Sequence, residues 1–120
     1  MTSGEEARQP LGRRGELAPA ERHDLNSLVT YQSGSVVSRT IIDRKAGTVT
    51  LFAFDEGEGL SEHTASFAAL LYVLNGEAQV TVAGEGNRIH TGEGIILPAG
   101  KPHSVRAIKR FKMLLTMIRE

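Results

Sequence analysis

From Leu25 onward the chain is a succession of short apolar stretches separated by turn residues, and this constrains the fold more than any other feature. "SLVTYQ", "SVVSRTII", "TVTLFAFD", "AALLYVLN", "AQVTVAG", "NRIHT", "GIILPA", "HSVRAI" and "FKMLLTMI" are short, and most are rich in Val, Ile, Thr, Phe or Tyr. Between them lie "DRKAGT", Asn75-Gly76, "AGEGN" and "PAGKP", which mark turns. The parity of "TVTLFAFD" predicts a strand, with Val49, Leu51 and Ala53 on one side and Thr50, Phe52 and Phe54 on the other. Helical spacing can be drawn through "SFAALLYVL", but Asn75-Gly76 followed by "EAQVTV" reads better as a hairpin. Many short strands at close spacing predict an all-β sandwich or barrel.

At 120 residues the chain has room for one hydrophobic core. Residues 1–24 carry charges, glycine and proline without apolar periodicity, so a flexible N-terminal arm is expected there, with a single domain over residues 25–120. Deleting residues 1–20 is accordingly expected to leave the melting temperature within a few degrees. Fourteen Lys and Arg balance fourteen Asp and Glu, so no global field draws nucleic acid or an anionic membrane. Without cysteine there is no disulfide, thiolate ligand or cysteine nucleophile. No apolar run is long enough to span a bilayer, and no export signal is visible, so a cytoplasmic protein is expected.

Two stretches carry the chemistry. In "GEGIILPAGKPHSVRA", Gly92 and Gly94 flank a tight turn and "IIL" reads as a short buried strand. Pro98 and Gly100 then shape a bend that delivers His103 to the next strand. In "EGLSEHTASFAALLYVLNG", His63 stands alone. Together these stretches resemble the cupin superfamily over residues 35–118. The second cupin motif is a glycine, five residues, Pro-x-Gly, two residues and a histidine, and Gly92, Pro98, Gly100 and His103 match it at every spacing. The first motif has a glycine, His-x-His, a glutamate four residues on and a glycine seven later. This chain supplies Gly57 or Gly59, then His63 and Gly76, with Ala65 in place of the second histidine and Ala69 in place of the glutamate.

The resemblance implies a cupin-type double-stranded β-helix, an RmlC-like jelly-roll barrel. It also implies a pocket containing His63, His103, Ala65 and Ala69. Gly76, Gly92, Pro98 and Gly100 serve there as turn residues that place the histidines. In cupins three imidazoles and a carboxylate hold iron, manganese, nickel, copper or zinc; here only His63 and His103 remain as metal ligands. Catalytic zinc sites usually have three protein ligands, and the iron facial triad needs two histidines and a carboxylate. Glu62 is expected on the opposite face from His63, and Asp55, Glu56 and Glu58 lie in a loop.

Two readings follow: a barrel that binds a small molecule, with an incomplete two-histidine metal site, or a metal-dependent dioxygenase or isomerase with a reduced centre. A third is a sensor or scaffold acting through dimerisation. His23 is expected on the surface of the arm, and His90 facing solvent. The stripe Met113, Leu115, Met117 is expected in the core or at a subunit interface. The basic residues Lys101, Arg106, Lys109, Arg110 and Lys112 read as a solvated rim. A homodimer is expected, because Leu114 and Ile118 on the second face of "FKMLLTMI" need cover.

Overall fold

The computed structural model describes residues 16–120. Nine strands follow one 3-10 turn, Leu25–Ser27. They are β1 Val36–Arg44, β2 Gly47–Phe54, β3 Gly59–Thr64, β4 Ala68–Asn75, β5 Glu77–Val82, β6 Glu85–His90, β7 Gly94–Leu97, β8 Pro102–Ala107 and β9 Phe111–Ile118. A five-stranded sheet has the order β1-β2-β9-β4-β7, and a four-stranded sheet the order β3-β8-β5-β6. The result is an all-β jelly-roll sandwich. Its sheets are not closed into a barrel, since no strand pair joins one sheet to the other among the described residues.

The main core lies between the sheets. Phe54, Leu71, Val73, Phe111 and Met113 of the larger sheet meet Ala78, Val80, Ile89, Val105 and Ala107 of the smaller one. Phe54 and Phe111 stack with centroids 4.5 Å apart and planes 2° from parallel. The parity read in β2 places its two sides in different clusters. Phe52 and Phe54 face the interior, while Val49, Leu51 and Ala53 face outward into a second cluster with Val29 and Ile41. Met113 and Leu115 join the main core, and Met117, two residues on, shares their face.

The hairpin expected at Asn75-Gly76 does not form. β4 pairs with β7 and β9, and β5 with β6 and β8, so Gly76 carries the chain from one sheet to the other. Its φ is +99°, and a Cβ there would meet the Arg110 carbonyl oxygen at 2.1 Å. Close backbone approach, which a local turn pattern does not reveal, is the reason for this glycine. The tight hairpin is instead β5–β6, where Ala83 and Gly84 both have positive φ and Val82 pairs with Glu85. "IIL" is not wholly buried either: β7 is an edge strand, with Leu97 buried and Ile96 65% exposed.

The outward cluster is roofed by the chain before β1. Leu17, Leu25, Leu28, Val29 and Tyr31 pack against Ile41, Leu51 and Ala53, with Leu114 beside them. Three polar attachments hold this roof. At its start, buried Glu16 accepts from the Asp43 amide at 2.7 Å and pairs with Arg44, while the Leu17 amide donates to the Ile41 carbonyl. In its middle, Lys112 donates to the Asn26 carbonyl, and both Lys112 and Arg110 lie over the Tyr31 ring. At its end, Asp55 accepts from the Gly34 amide at 2.6 Å and from Arg110 Nε at 2.7 Å. Residues 1–15 of the expected arm lie outside the described residues; Glu16 and Leu17 are part of the packed structure.

Arg110 and the two backbone amides hold Asp55 well below the usual carboxylate range, at about 2 against 3.8. A carboxylate depressed on folding contributes stability above its unfolded value and loses that contribution as pH falls through its folded value. The Asp55 contribution is therefore complete above about pH 3.8 and gone below about pH 2. Asp55→Asn is expected to lower the urea midpoint at neutral pH, and the gap from wild type should close between those limits. A gap that stays constant down to pH 2 would contradict this.

Candidate functional site

His63 and His103 stand directly opposite each other in the antiparallel pair β3–β8. Paired residues share a sheet face, and His103 alternates with Val105 and Ala107, so both imidazoles are on the interior side. His103 is buried and His63 exposed at the rim. Their Nε2 atoms are 3.2 Å apart, and the rings meet edge to face with centroids 4.4 Å apart.

Each ring is held at its other nitrogen by the backbone. His63 Nδ1 lies 3.1 Å from the Ser61 carbonyl oxygen, and His103 Nδ1 lies 3.3 Å from that of Lys101. A carbonyl only accepts, so each Nδ1 carries its ring's proton and donates it. Both neutral Nε2 atoms are then bare acceptors facing one another. All four nitrogens are satisfied only when a positive charge or a donor stands between the rings: a proton, a metal ion, or an N–H or O–H of a ligand. Burial, and next to it the adjacent His63, lower the pKa of His103 from the usual imidazole value.

Around the pair, register places Val82 beside His103 on the smaller sheet. On the facing sheet, β4 starts only three residues after β3 ends, which brings Ala69 to the same end of the sandwich. Ala69, Thr48 and Met117 form one row across that sheet; Thr50 and Leu115 pair in the next, which Leu71 extends. Thr40 and Thr50 hydroxyls are hydrogen-bonded at 3.0 Å. Thr48, Thr50, Ala69, Leu115 and Met117 are half-buried and Thr40 is exposed, whereas Leu71 and the positions around Phe54 and Phe111 are sealed, so burial falls off toward the histidine end. The threonines were missed in the sequence; the even positions of "TVTLFAFD" were the signal.

Ala65 lies just past the end of β3, and its carbonyl accepts from the Gly100 amide at 2.8 Å. That bond ties the bend of the second motif to the end of the first. Gly92 and Gly100 have φ of +89° and +78°, and Pro98 opens the bend between β7 and β8. No group of three or more His, Asp or Glu among the described residues is placed to hold a metal. Asp55 is committed to Arg110 and Gly34. Glu58 bonds through its backbone to Ala107, four residues along β8 from His103, or roughly 13 Å. Glu62 is exposed within an irregular stretch of β3.

The other candidates stay apart from this site. His23 is half-buried, with Nε2 3.2 Å from the Ala18 carbonyl oxygen. His90 is exposed and lies against Glu77 and Glu93. Of the basic residues, Arg110 and Lys112 hold Tyr31, while Lys101, Arg106 and Lys109 are exposed.

A model of the cupin domain matches residues 50–118, more than half of the chain and both histidines. The chain belongs to the cupin family. Among solved structures, it is similar to a conserved protein of unknown function from Streptococcus pyogenes, 30% identical, with a TM-score of 0.83 over 88% of this chain and 92% of that one. A cupin superfamily protein from Desulfitobacterium hafniense is 27% identical, with a TM-score of 0.82 over 88% and 96% of the two chains. A cupin 2 conserved barrel domain protein from Leptotrichia buccalis is 36% identical over 81% of this chain, which spans 47% of that longer one. No curated protein matches at the same stringency. Among the described residues of this cupin, no helix is long and apolar enough to cross a membrane.

The residues present do not fit a four-ligand cupin metal centre. Two bare Nε2 atoms are in place, and alanines stand where the family's third imidazole and carboxylate belong.

Proposed function

We propose that this cupin binds a small molecule at the histidine end of its sandwich, between His63 and His103 and the facing row Thr48, Met117 and Ala69. One observation carries the reading: two imidazoles, each anchored at Nδ1 by a backbone carbonyl, bring their Nε2 atoms within 3.2 Å of each other. A ligand with an ammonium, amide N–H or hydroxyl group satisfies both, while an apolar body lies on Met117, Leu115 and Val82. The alanines leave room where bulkier metal ligands would stand. A soluble ligand of this kind matches a cytoplasmic setting.

A metal-dependent dioxygenase or isomerase with a reduced centre is the second reading. The 3.2 Å separation favours it to this extent: two nitrogens about 2.0–2.1 Å from one zinc ion would subtend roughly 100°, near the tetrahedral angle. Two ligands hold such an ion weakly, so it is expected to leave on mild chelation.

The test is a thermal-shift screen of amines, amides, polyols and divalent metals on the full chain and on His63→Ala and His103→Ala. Hits among donor-bearing organic molecules that both substitutions abolish support the binding reading. Hits confined to metal ions favour the second reading. Hits unchanged in both variants would refute the assignment of the histidines.

A further inference from the structure

Along β8, His103, Val105 and Ala107 turn to the interior, so Ser104 and Arg106 turn to the outer face of the four-stranded sheet. Register continues their rows to Thr81 and Gln79 on β5, which makes this face polar. On the other side of β8, the edge strand β3 is irregular. Leu60 pairs with Val105 and His63 with His103, so Ser61 and Glu62 together stand opposite Ser104. A bulge of this kind re-aims the side chains it carries. Gly57, Gly59, Leu60, Ser61, Ser104 and Arg106 border a depression of about 290 Å³ at this point.

The lining has one cation, two hydroxyl groups and no carboxylate. Arg106 makes no ion pair among the described residues, whereas Arg88, the other outward arginine of this sheet, is held by Glu77 at 3.0 Å. Neither the Ser61 nor the Ser104 hydroxyl has a hydrogen-bond partner among the described residues; only the Ser61 carbonyl is engaged, by the His63 ring. Gly59 keeps the floor bare. A Cβ there would meet the Val105 carbonyl oxygen at 2.1 Å, so the close approach of the two strands requires glycine.

We infer that this depression binds a phosphate group, free or carried by a small organic ester. The Arg106 guanidinium is a fork of N–H donors with no acceptor, and each serine hydroxyl adds an O–H. Such a lining matches a ligand that is negatively charged and rich in acceptor oxygens. A carboxylate would spend both oxygens on the fork, whereas a phosphate keeps further oxygens for the serines. A neutral ligand would leave the guanidinium charge unanswered. The depression lies on the opposite face of the strands that carry His63 and His103, so it does not depend on the binding reading given above.

Inorganic phosphate titrated into the isotope-labelled full chain at constant ionic strength is expected to move the amide NMR signals of Gly59, Ser61, Ser104 and Arg106 along a saturating curve. Arg106→Gln, at an exposed position, should keep a folded spectrum and weaken binding at least about tenfold, as expected for a lost hydrogen bond to a charged group. Lys101→Gln removes another exposed cation outside the depression and should bind as the parent does. Glycerol phosphate is titrated beside the free ion. Tighter binding identifies an ester as the occupant and equal binding the ion itself, and either result supports the inference. Shifts that fail to saturate, or that centre on Val82, Ala69 and Met117 beside the histidines, overturn it. So does an Arg106→Gln variant that binds as tightly as the parent, or a Lys101→Gln variant weakened as much as Arg106→Gln. If Arg106→Gln does not fold, Ser104→Ala is read in its place, with an expected loss of about two- to tenfold.

Discussion

A chain lacking residues 1–31 is expected to lose its cooperative thermal transition or to melt at least 15 °C lower, since the loss matches most of a domain's stability of about 5–15 kcal/mol. The truncation strips Leu17, Leu25, Leu28, Val29 and Tyr31 from Ile41, Leu51 and Ala53, which are 6%, 0% and 0% exposed in the intact chain. The fully buried large side chains of this contact are Val29, Ile41 and Leu51, and at about 1.5–3 kcal/mol each their loss costs on the order of 5–9 kcal/mol. The Asp55–Gly34 bond is spared, but the Tyr31 platform for Arg110 and Lys112 and the Glu16–Arg44 pair are lost. Deleting only residues 1–20 removes Glu16 and Leu17, and an intermediate fall replaces the harmless outcome expected from composition. Differential scanning calorimetry of the two truncations decides the matter. A chain without residues 1–31 that melts within a few degrees of the parent would show that the second cluster is not structural.

Ala65→His with Ala69→Glu is expected to raise zinc or nickel affinity by at least ten- to a hundredfold, because even the outer partners of metal ligands are commonly worth that much. His63 and His103 already present converging Nε2 atoms, so the variant adds ligands to a half-built set. Ala69 faces the interior at the histidine end, in register with Leu97 and Met117, so a glutamate there points between the sheets. Ala65 engages its carbonyl with the Gly100 amide, and that bond leaves its side chain free to change. The larger side chains crowd the mouth, at a cost of about 1–3 kcal/mol in the metal-free state. Isothermal titration and metal content after chelation, compared between the two proteins, provide the measurement. Stoichiometric, chelator-resistant metal in the wild type would mean that another residue completes the site, and the enzyme reading would take precedence. A folded variant with no gain would mean that the backbone at these two positions is turned away from the pair.

What local sequence carries, it carried well here. Period-two alternation placed Phe52 and Phe54 opposite Leu51 and Ala53, because side-chain direction in a strand is set by the pleat alone. The spacing of Gly92, Pro98, Gly100 and His103 identified the family, since a bend with positive φ at fixed offsets is also a local requirement. It also singled out His63 and His103, forty residues apart, through the resemblance. Partner choice lies beyond that reach. Asn75-Gly76 has the composition of a hairpin turn, yet β9 and β7 take β4 on one sheet while β8 and β6 take β5 on the other, because burial of both inner faces outweighs one local pairing. The roof formed by residues 16–31 has no periodicity to announce it. Its irregular backbone is held by scattered contacts to Ile41, Asp55 and Lys112, which come together only when the sheet exists. The two bare Nε2 atoms also belong to the tertiary structure, because the Ser61 and Lys101 carbonyls that orient each ring act together only once β3 and β8 are in register.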